Sequence, residues 1–196
     1  QIETPFFNYY LKNKGSFDLP EATIFFFFFN EWRKYNTWPP TNSKPAKFYF
    51  QPGGKLAMTA ASTKSFHEYL SDPAKPVPYT SVISGRRNNE YLAEDQRFAA
   101  QRPDVLVFET DTLTEDIVIA GQIMANLFVS ISGTDADFIV KLIDVLPETE
   151  ENPNPNPRNL QMAGFQRLVR AEVFRGKFRN SFETPAAFIP NKMEKV

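Results

Sequence analysis

The reactive inventory of this chain is thin: one histidine, no cysteine, and serines that lack the neighbours catalysis requires. A histidine base needs a nucleophile and an orienting acid, and a metal-bound one needs further ligands. With no second imidazole and no thiolate to share either task, His67 reads as a loop or surface side chain. A serine nucleophile of the hydrolase kind sits on a sharp strand-to-helix turn within G-x-S-x-G. Ser84-Gly85 and Ser132-Gly133 carry glycine on one side only, and no G-x-S-x-G occurs.

The carboxylates offer two further chemistries. Asp104, Asp135, Asp137 and Asp144 fall near turns, where clustered oxygens could hold calcium. No EF-hand spacing with a closing glutamate accompanies them, and Asp135 and Asp137 suit turn capping better. No metal is expected. A carboxylate-pair glycosidase needs two carboxyls facing one another about 5–10 Å apart across a cleft, a geometry that the adjacent Glu115 and Asp116 do not set. Pro52-Gly53-Gly54 is a turn and lacks the glycine spacing of a phosphate cradle. No cofactor is implied.

Binding is the remaining possibility. Trp32 and Trp38, beside Pro39-Pro40, could stack a sugar or an aromatic acyl group, although packing anchors at strand ends explain them as well. Residues 69–79, YLSDPAKPVPY, contain three prolines within six residues and must form an extended loop.

The elements that would position these groups are mainly strands. Sixteen prolines and twenty phenylalanines favour a loop-rich β fold over helices. Apolar runs at 105–109, 117–131 and 138–146 are separated by turn formers, and Leu127, Val129 and Ile131 alternate with Phe128 and Ser130 as a half-buried strand does. Further strands are expected at 22–29, with its five successive phenylalanines, at 48–51 and at 165–173. In the last, Phe165, Val169, Ala171 and Val173 share a face, and Arg167 interrupts it and requires a carboxylate or an exit to solvent. Residues 90–102 suit a short helix or turn, with Asp95 and Arg97 available to pair with Arg102 or Asp104. Thr4-Pro5 starts a short aromatic helix that Gly15 would cap, and residues 15–21 form a linker. Residues 150–158, EENPNPNPR, form an exposed loop. Short antiparallel strands at this spacing argue for a β-sandwich.

The segments RPDVLVFET, LTEDIVIAG and LFVSISGTDADFIVKLIDVLPE, with NEWRKYNTWPP, FYFQPGGKL, YLSDPAKPVPY and LVRAEVFRGKFRNSFETP, carry a long ordered likeness. Together they resemble the C-terminal jelly-roll domain of the X-prolyl dipeptidyl-peptidase and cocaine-esterase superfamily of serine hydrolases. Within it they look like α-amino acid ester hydrolases and glutaryl-cephalosporin acylases. The resemblance implies a mainly β, antiparallel jelly-roll β-sandwich of the galactose-binding-domain type over 22–196, lacking its last strands. Residues 1–21 would be the terminal helix and linker of a preceding α/β-hydrolase domain. No catalytic residue carries over, since the family's nucleophile, acid, base and oxyanion tyrosine would all precede Gln1.

By the same resemblance, the partners would be a catalytic α/β-hydrolase domain of the same polypeptide and, through it, a small-molecule ester or amide substrate. The present residues would cap that site, with Trp32, Trp38, Asp72, Pro73 and Tyr79 as a wall of the substrate pocket, and could join subunits. The rival reading is a free-standing carbohydrate-binding module that uses both tryptophans.

Bulk properties limit the rest. A net charge of −1, from 22 basic and 23 acidic residues, gives no field toward nucleic acid or an anionic membrane. The longest wholly apolar stretches are too short to span a bilayer. Absence of cysteine leaves the compartment open, a bacterial periplasmic or secreted parent being compatible with it.

Overall fold

The computed structural model describes residues 3–26, 29–86 and 88–196. Two compact units partition the chain, Gln1–Lys47 with Thr112–Ile123, and Phe48–Asp111 with Met124–Val196.

In the first unit, helix α1 (Glu3–Lys12) has no buried residue. The rings of Phe6, Tyr9 and Tyr10 gather around Phe17 at centroid distances of 5.4, 5.6 and 5.2 Å. Thr4 lies inside the helix and does not cap it. The C-cap is Asn13, not the expected Gly15: Asn13 adopts a left-handed φ of 50° and donates its N–H to Tyr9 O at 3.1 Å. Strand β1 (Ala22–Phe26) pairs antiparallel with β2 (Glu31–Tyr35). Of the expected strand at 22–29, Phe27 and Phe28 lie outside the described residues. The guanidinium of Arg33 rests over the Phe26 and Phe29 rings at 4.4 and 4.6 Å and pairs with Glu31.

The second unit is built on one long hairpin. Strand β6 (Asp137–Val145) pairs antiparallel with β7 (Gln166–Arg175), and the register shifts between Leu142 and Ile143 because Val169 has no opposite number. That bulge changes which side chains share a face, since one extra residue reverses the alternation beyond it. Leu168 and Gln166, not Val169, join the face of Ala171 and Val173. Arg167 moves to the face of Arg170 and Glu172, directly opposite Asp144, with 3.8 Å between the charged groups. The carboxylate Arg167 needs is therefore its cross-strand neighbour.

The remaining ladders are short. Strands β3 (Tyr49–Gln51) and β4 (Lys55–Ala57) form a hairpin, and β5 (Phe128–Val129) pairs with β8 (Glu194–Lys195). Between residues 90 and 102 stand a 3₁₀ turn (Glu90–Leu92) and the one-turn helix α2 (Arg97–Ala100). Two expected strands are largely irregular. Residues 105–109 contribute a single bridge from Glu109 to Lys55, and within 117–131 only Phe128–Val129 is a strand. An apolar run does not make a strand without a partner to take its backbone hydrogen bonds.

Two polar centres tie the second unit together. Gln96, 1% exposed, donates its side-chain amide to Tyr91 O and Glu94 O at 3.3 and 2.8 Å, and accepts from Lys141 Nζ of β6 at 2.6 Å. Beside it, Asp95 accepts from the N–H groups of Arg97 and Gln166 at 3.1 and 3.2 Å and from Arg97 Nε at 2.6 Å, while Arg97 reaches Ala163 O at 3.1 Å. The second centre is Arg179, whose side chain is 4% exposed. It donates to Glu194 Oε2 at 2.7 Å, to Gly176 O, Ala186 O and Ala187 O at 3.2, 2.6 and 3.0 Å, and covers the Phe188 ring at 4.0 Å. Its planar fork suits this many acceptors, which an ammonium would not reach together.

Little else is buried. Among the described residues of the second unit, the buried side chains apart from Thr80 and Gln96 are Ala99, Leu146, Phe165 and Phe188.

Two predictions follow from these contacts. A Cβ at Gly176 would stand 2.6 Å from the Phe188 ring and 2.9 Å from both Ala136 O and the Phe138 ring. Gly176→Ala should therefore cost about 1–3 kcal/mol in chemical denaturation, whereas Gly133→Ala, with nothing within 4 Å, should stay within about 0.5 kcal/mol of wild type.

The second prediction concerns pH. Burial raises the Asp95 carboxyl, but hydrogen bonds from the side chain and N–H of Arg97 and from Gln166 N–H outweigh it, leaving a net fall below 3.8. Glu194 is likewise raised by burial and lowered further by Arg179 and the Ile189 N–H, ending below 4.5. A carboxyl depressed by folding stabilises the fold fully above its unfolded value, and that contribution disappears as pH falls through the folded one. Stability should be flat from neutrality to about pH 5 and then decline, with a shallower decline in Asp95→Asn and Glu194→Gln.

Candidate functional site

The residues expected to face substrate are divided between the two units. Trp32 projects from β2, 65% exposed, with its ring 5.2 Å from Phe25, the residue opposite it on β1. Trp38, half-buried, sets its ring 5.6 Å from Tyr35. Trp38 is thus an edge-to-face partner of Tyr35 and Trp32 a tilted partner of Phe25, and Trp32 offers the more open surface.

In the second unit, Asp72, Pro73 and Tyr79 belong to the proline-rich loop. Asp72 begins a turn whose form its own atoms set: its side chain accepts from Ala74 N–H and its carbonyl from Lys75 N–H, each at 2.9 Å. Pro73 follows at the position where a fixed φ favours such a turn, and it is exposed. Arg102 anchors the loop by donating to Lys75 O at 3.1 Å. Tyr79, 50% exposed, accepts from Asn88 N–H at 3.3 Å and sets its ring 5.8 Å from Tyr91. Asp72 and Tyr79 therefore have structural partners of their own.

Asp72 lines an open cavity of ≈ 400 Å³ with Leu70, Lys75, Arg102, Pro103 and Asp104. Arg102 and Asp104 meet there as a fork, with nitrogen–oxygen distances of 2.8 and 2.7 Å. The hydrogen bond from Arg102 holds the Asp104 carboxyl below its usual range. Sequence reasoning had considered this pair only in combination with Asp95 and Arg97; the pairs are instead local, Asp95 with Arg97 and Arg102 with Asp104. The signal was present in the spacing, since each pair is two residues apart.

The other chemical candidates have different occupations. His67 is exposed, and its ring stands edge-on to Phe108 at 5.1 Å. Ser84 Oγ accepts from Arg86 N–H at 3.1 Å. The four aspartates considered for calcium are each claimed by a cation: Asp104 by Arg102, Asp144 by Arg167, Asp137 by Arg175 at 3.2 Å and Asp135 by Lys177 at 3.9 Å. Among the described residues no group of three histidine, cysteine or carboxylate side chains could hold a metal ion. What the geometry presents is a set of surfaces and braced loops.

Comparison with known proteins gives the family. Residues 7–196 match the family model of the X-Pro dipeptidyl-peptidase C-terminal non-catalytic domain. A cocaine esterase of Rhodococcus sp. (strain MB1 Bresler) is 34% identical over 139 residues, which are 66% of this chain and 24% of that enzyme. The crystal structure of an aminopeptidase from the marine sediment archaeon Thaumarchaeota archaeon superposes with a TM-score of 0.84 at 37% identity, over 100% of this chain and 32% of that one. A selenomethionine-labelled α-amino acid ester hydrolase gives a TM-score of 0.77 at 36% identity, over 98% and 32%. The chain thus spans between a quarter and a third of the length of these relatives. The mainly β, antiparallel sandwich expected from the sequence is the architecture found. With 7–196 matched, nearly its whole length, the chain belongs to the X-Pro dipeptidyl-peptidase C-terminal non-catalytic domain family.

Proposed function

We propose that this domain serves a serine hydrolase of the ester- and amide-cleaving kind as the cap of its active site, the catalytic α/β-hydrolase domain being part of the same polypeptide. The observation that carries the reading is the surface left open. Large apolar side chains account for part of it, among them Tyr10, Leu11 and Trp32 in the first unit and Phe66, Leu70 and Ile83 in the second. A covalently attached domain would cover part of it, interfaces between domains of one chain running to about 600–1,500 Å².

In this reading α1 and the linker through Glu21 belong to the hydrolase fold, and the jelly roll occupies 22–196. The aromatic face of α1, with no residue buried, packs against hydrolase helices. Trp32, Trp38, Asp72, Pro73 and Tyr79 face the substrate-bearing portion, Trp32 having the most surface free for contact. The parent's serine attacks the ester or amide carbonyl and expels the alcohol or amine, water then cleaves the acyl-enzyme to release the acid and regenerate the serine, and this domain contributes positioning.

Hydrolysis of an aminoacyl ester and an X-Pro amide tests this. Residues 1–196 alone should give the buffer rate, while the intact polypeptide turns over at least one of the two. Trp32→Ala in the intact polypeptide should raise KM several-fold with kcat nearly unchanged. Turnover by the 196 residues alone, abolished by a serine-reactive inhibitor, would refute the reading.

A further inference from the structure

The loop over residues 80–86 is fixed at its root and bare at its tip. Thr80, 2% exposed, donates its hydroxyl to Val82 O at 2.7 Å. Ser81 N–H lies 3.1 and 3.2 Å from the two carboxylate oxygens of Glu94, and the Ser81 hydroxyl donates to the same carboxylate. Immediately beyond, Val82 is 66% and Ile83 95% exposed. A solvated loop gains nothing by showing two β-branched apolar side chains on an anchored root. A loop that must meet another surface in one orientation gains affinity by being ordered beforehand.

The anchor is itself braced from the sheet. Glu94 O accepts the Gln96 amide at 2.8 Å, and Gln96 accepts Lys141 Nζ of β6 at 2.6 Å. Burial holds the Lys141 ammonium below its usual range, and the Glu94 charge opposes that fall. A line of polar contacts therefore runs from the middle of β6 through Gln96 to the backbone carbonyl of Glu94, the residue whose carboxylate holds Ser81, all within the second unit.

We infer that Glu94 is a positioning residue, the latch that sets the 80–86 loop and its Val82–Ile83 tip, and that Lys141 controls the latch from β6 through Gln96. The inference rests on the proposed function only for the identity of the surface the tip meets, the hydrolase portion of the same polypeptide.

Hydrogen exchange in the intact polypeptide tests it. In Glu94→Gln the amides of 81–83 should exchange roughly 10-fold faster, the effect expected when a charge-assisted hydrogen bond is lost, with those of β6 and β7 unchanged. Lys141→Met should accelerate the same loop amides by a smaller factor, a response that a purely local role for Lys141 would not produce. Unaltered loop exchange in Glu94→Gln overturns the latch, and acceleration confined to β6 in Lys141→Met overturns the remote control. If Glu94→Gln loosens the hairpin as a whole, Ser81→Ala decides: faster exchange at 81–83 alone sustains the latch, and no change refutes it. These readings do not depend on turnover, so failure of the latch leaves the proposed function standing, and an inactive wild-type polypeptide leaves the latch standing.

Discussion

The buried amide of Gln96 is the contact on which most of the second unit depends. A primary amide taken from water must recover its hydrogen bonds inside the protein or cost free energy. Here both its donor and acceptor sides are used, toward Tyr91 and Glu94 in one direction and Lys141 in the other. Asp95 and Arg97, its sequence neighbours, take hold of the start of β7 and the segment before it. Three consecutive side chains thus join the irregular 90–102 region to the one long hairpin. Removing any one of them would strand the partners of the others, so the network behaves as a unit.

Arg179 plays the corresponding part near the last residues. It satisfies three carbonyls and one carboxylate while lying on the Phe188 ring. The short β5–β8 ladder has only two residue pairs, too few to hold two strands without such a brace. Gly176 completes the arrangement by leaving room for Phe188. In both centres a small apolar core is supplemented by polar groups that are nearly fully paired, while extensive apolar area stays open for a partner.

Much of this was legible in the sequence, and the failures have physical causes. β6 lies within the apolar run at 138–146, and β7 gives it a long antiparallel partner for its backbone hydrogen bonds. β7 was found but misphased: a bulge at Val169 leaves no mark in a pattern of apolar and polar letters, yet it reverses every face assignment on one side of it. The runs at 105–109 and 117–131 have strand-like composition, but composition does not supply a neighbouring edge, and most of those residues are irregular. Register brings Asp137 and Asp144 opposite Arg175 and Arg167, while Asp104 pairs with Arg102 two residues away and Asp135 lies near Lys177. The pocket-wall residues were chosen by resemblance, and the structure shows what each contacts; Gln96, Glu94 and Lys141 were overlooked because a buried polar group announces itself only through its partners.

The central claim is that the chemistry of the parent protein resides outside these 196 residues. Labelling the intact polypeptide with a fluorophosphonate, digesting it and mapping the adduct by mass spectrometry tests this most directly. The account predicts a single stoichiometric adduct on a serine outside residues 1–196. An adduct on Ser84, Ser132 or any other serine of this chain, formed in step with loss of activity, would contradict it.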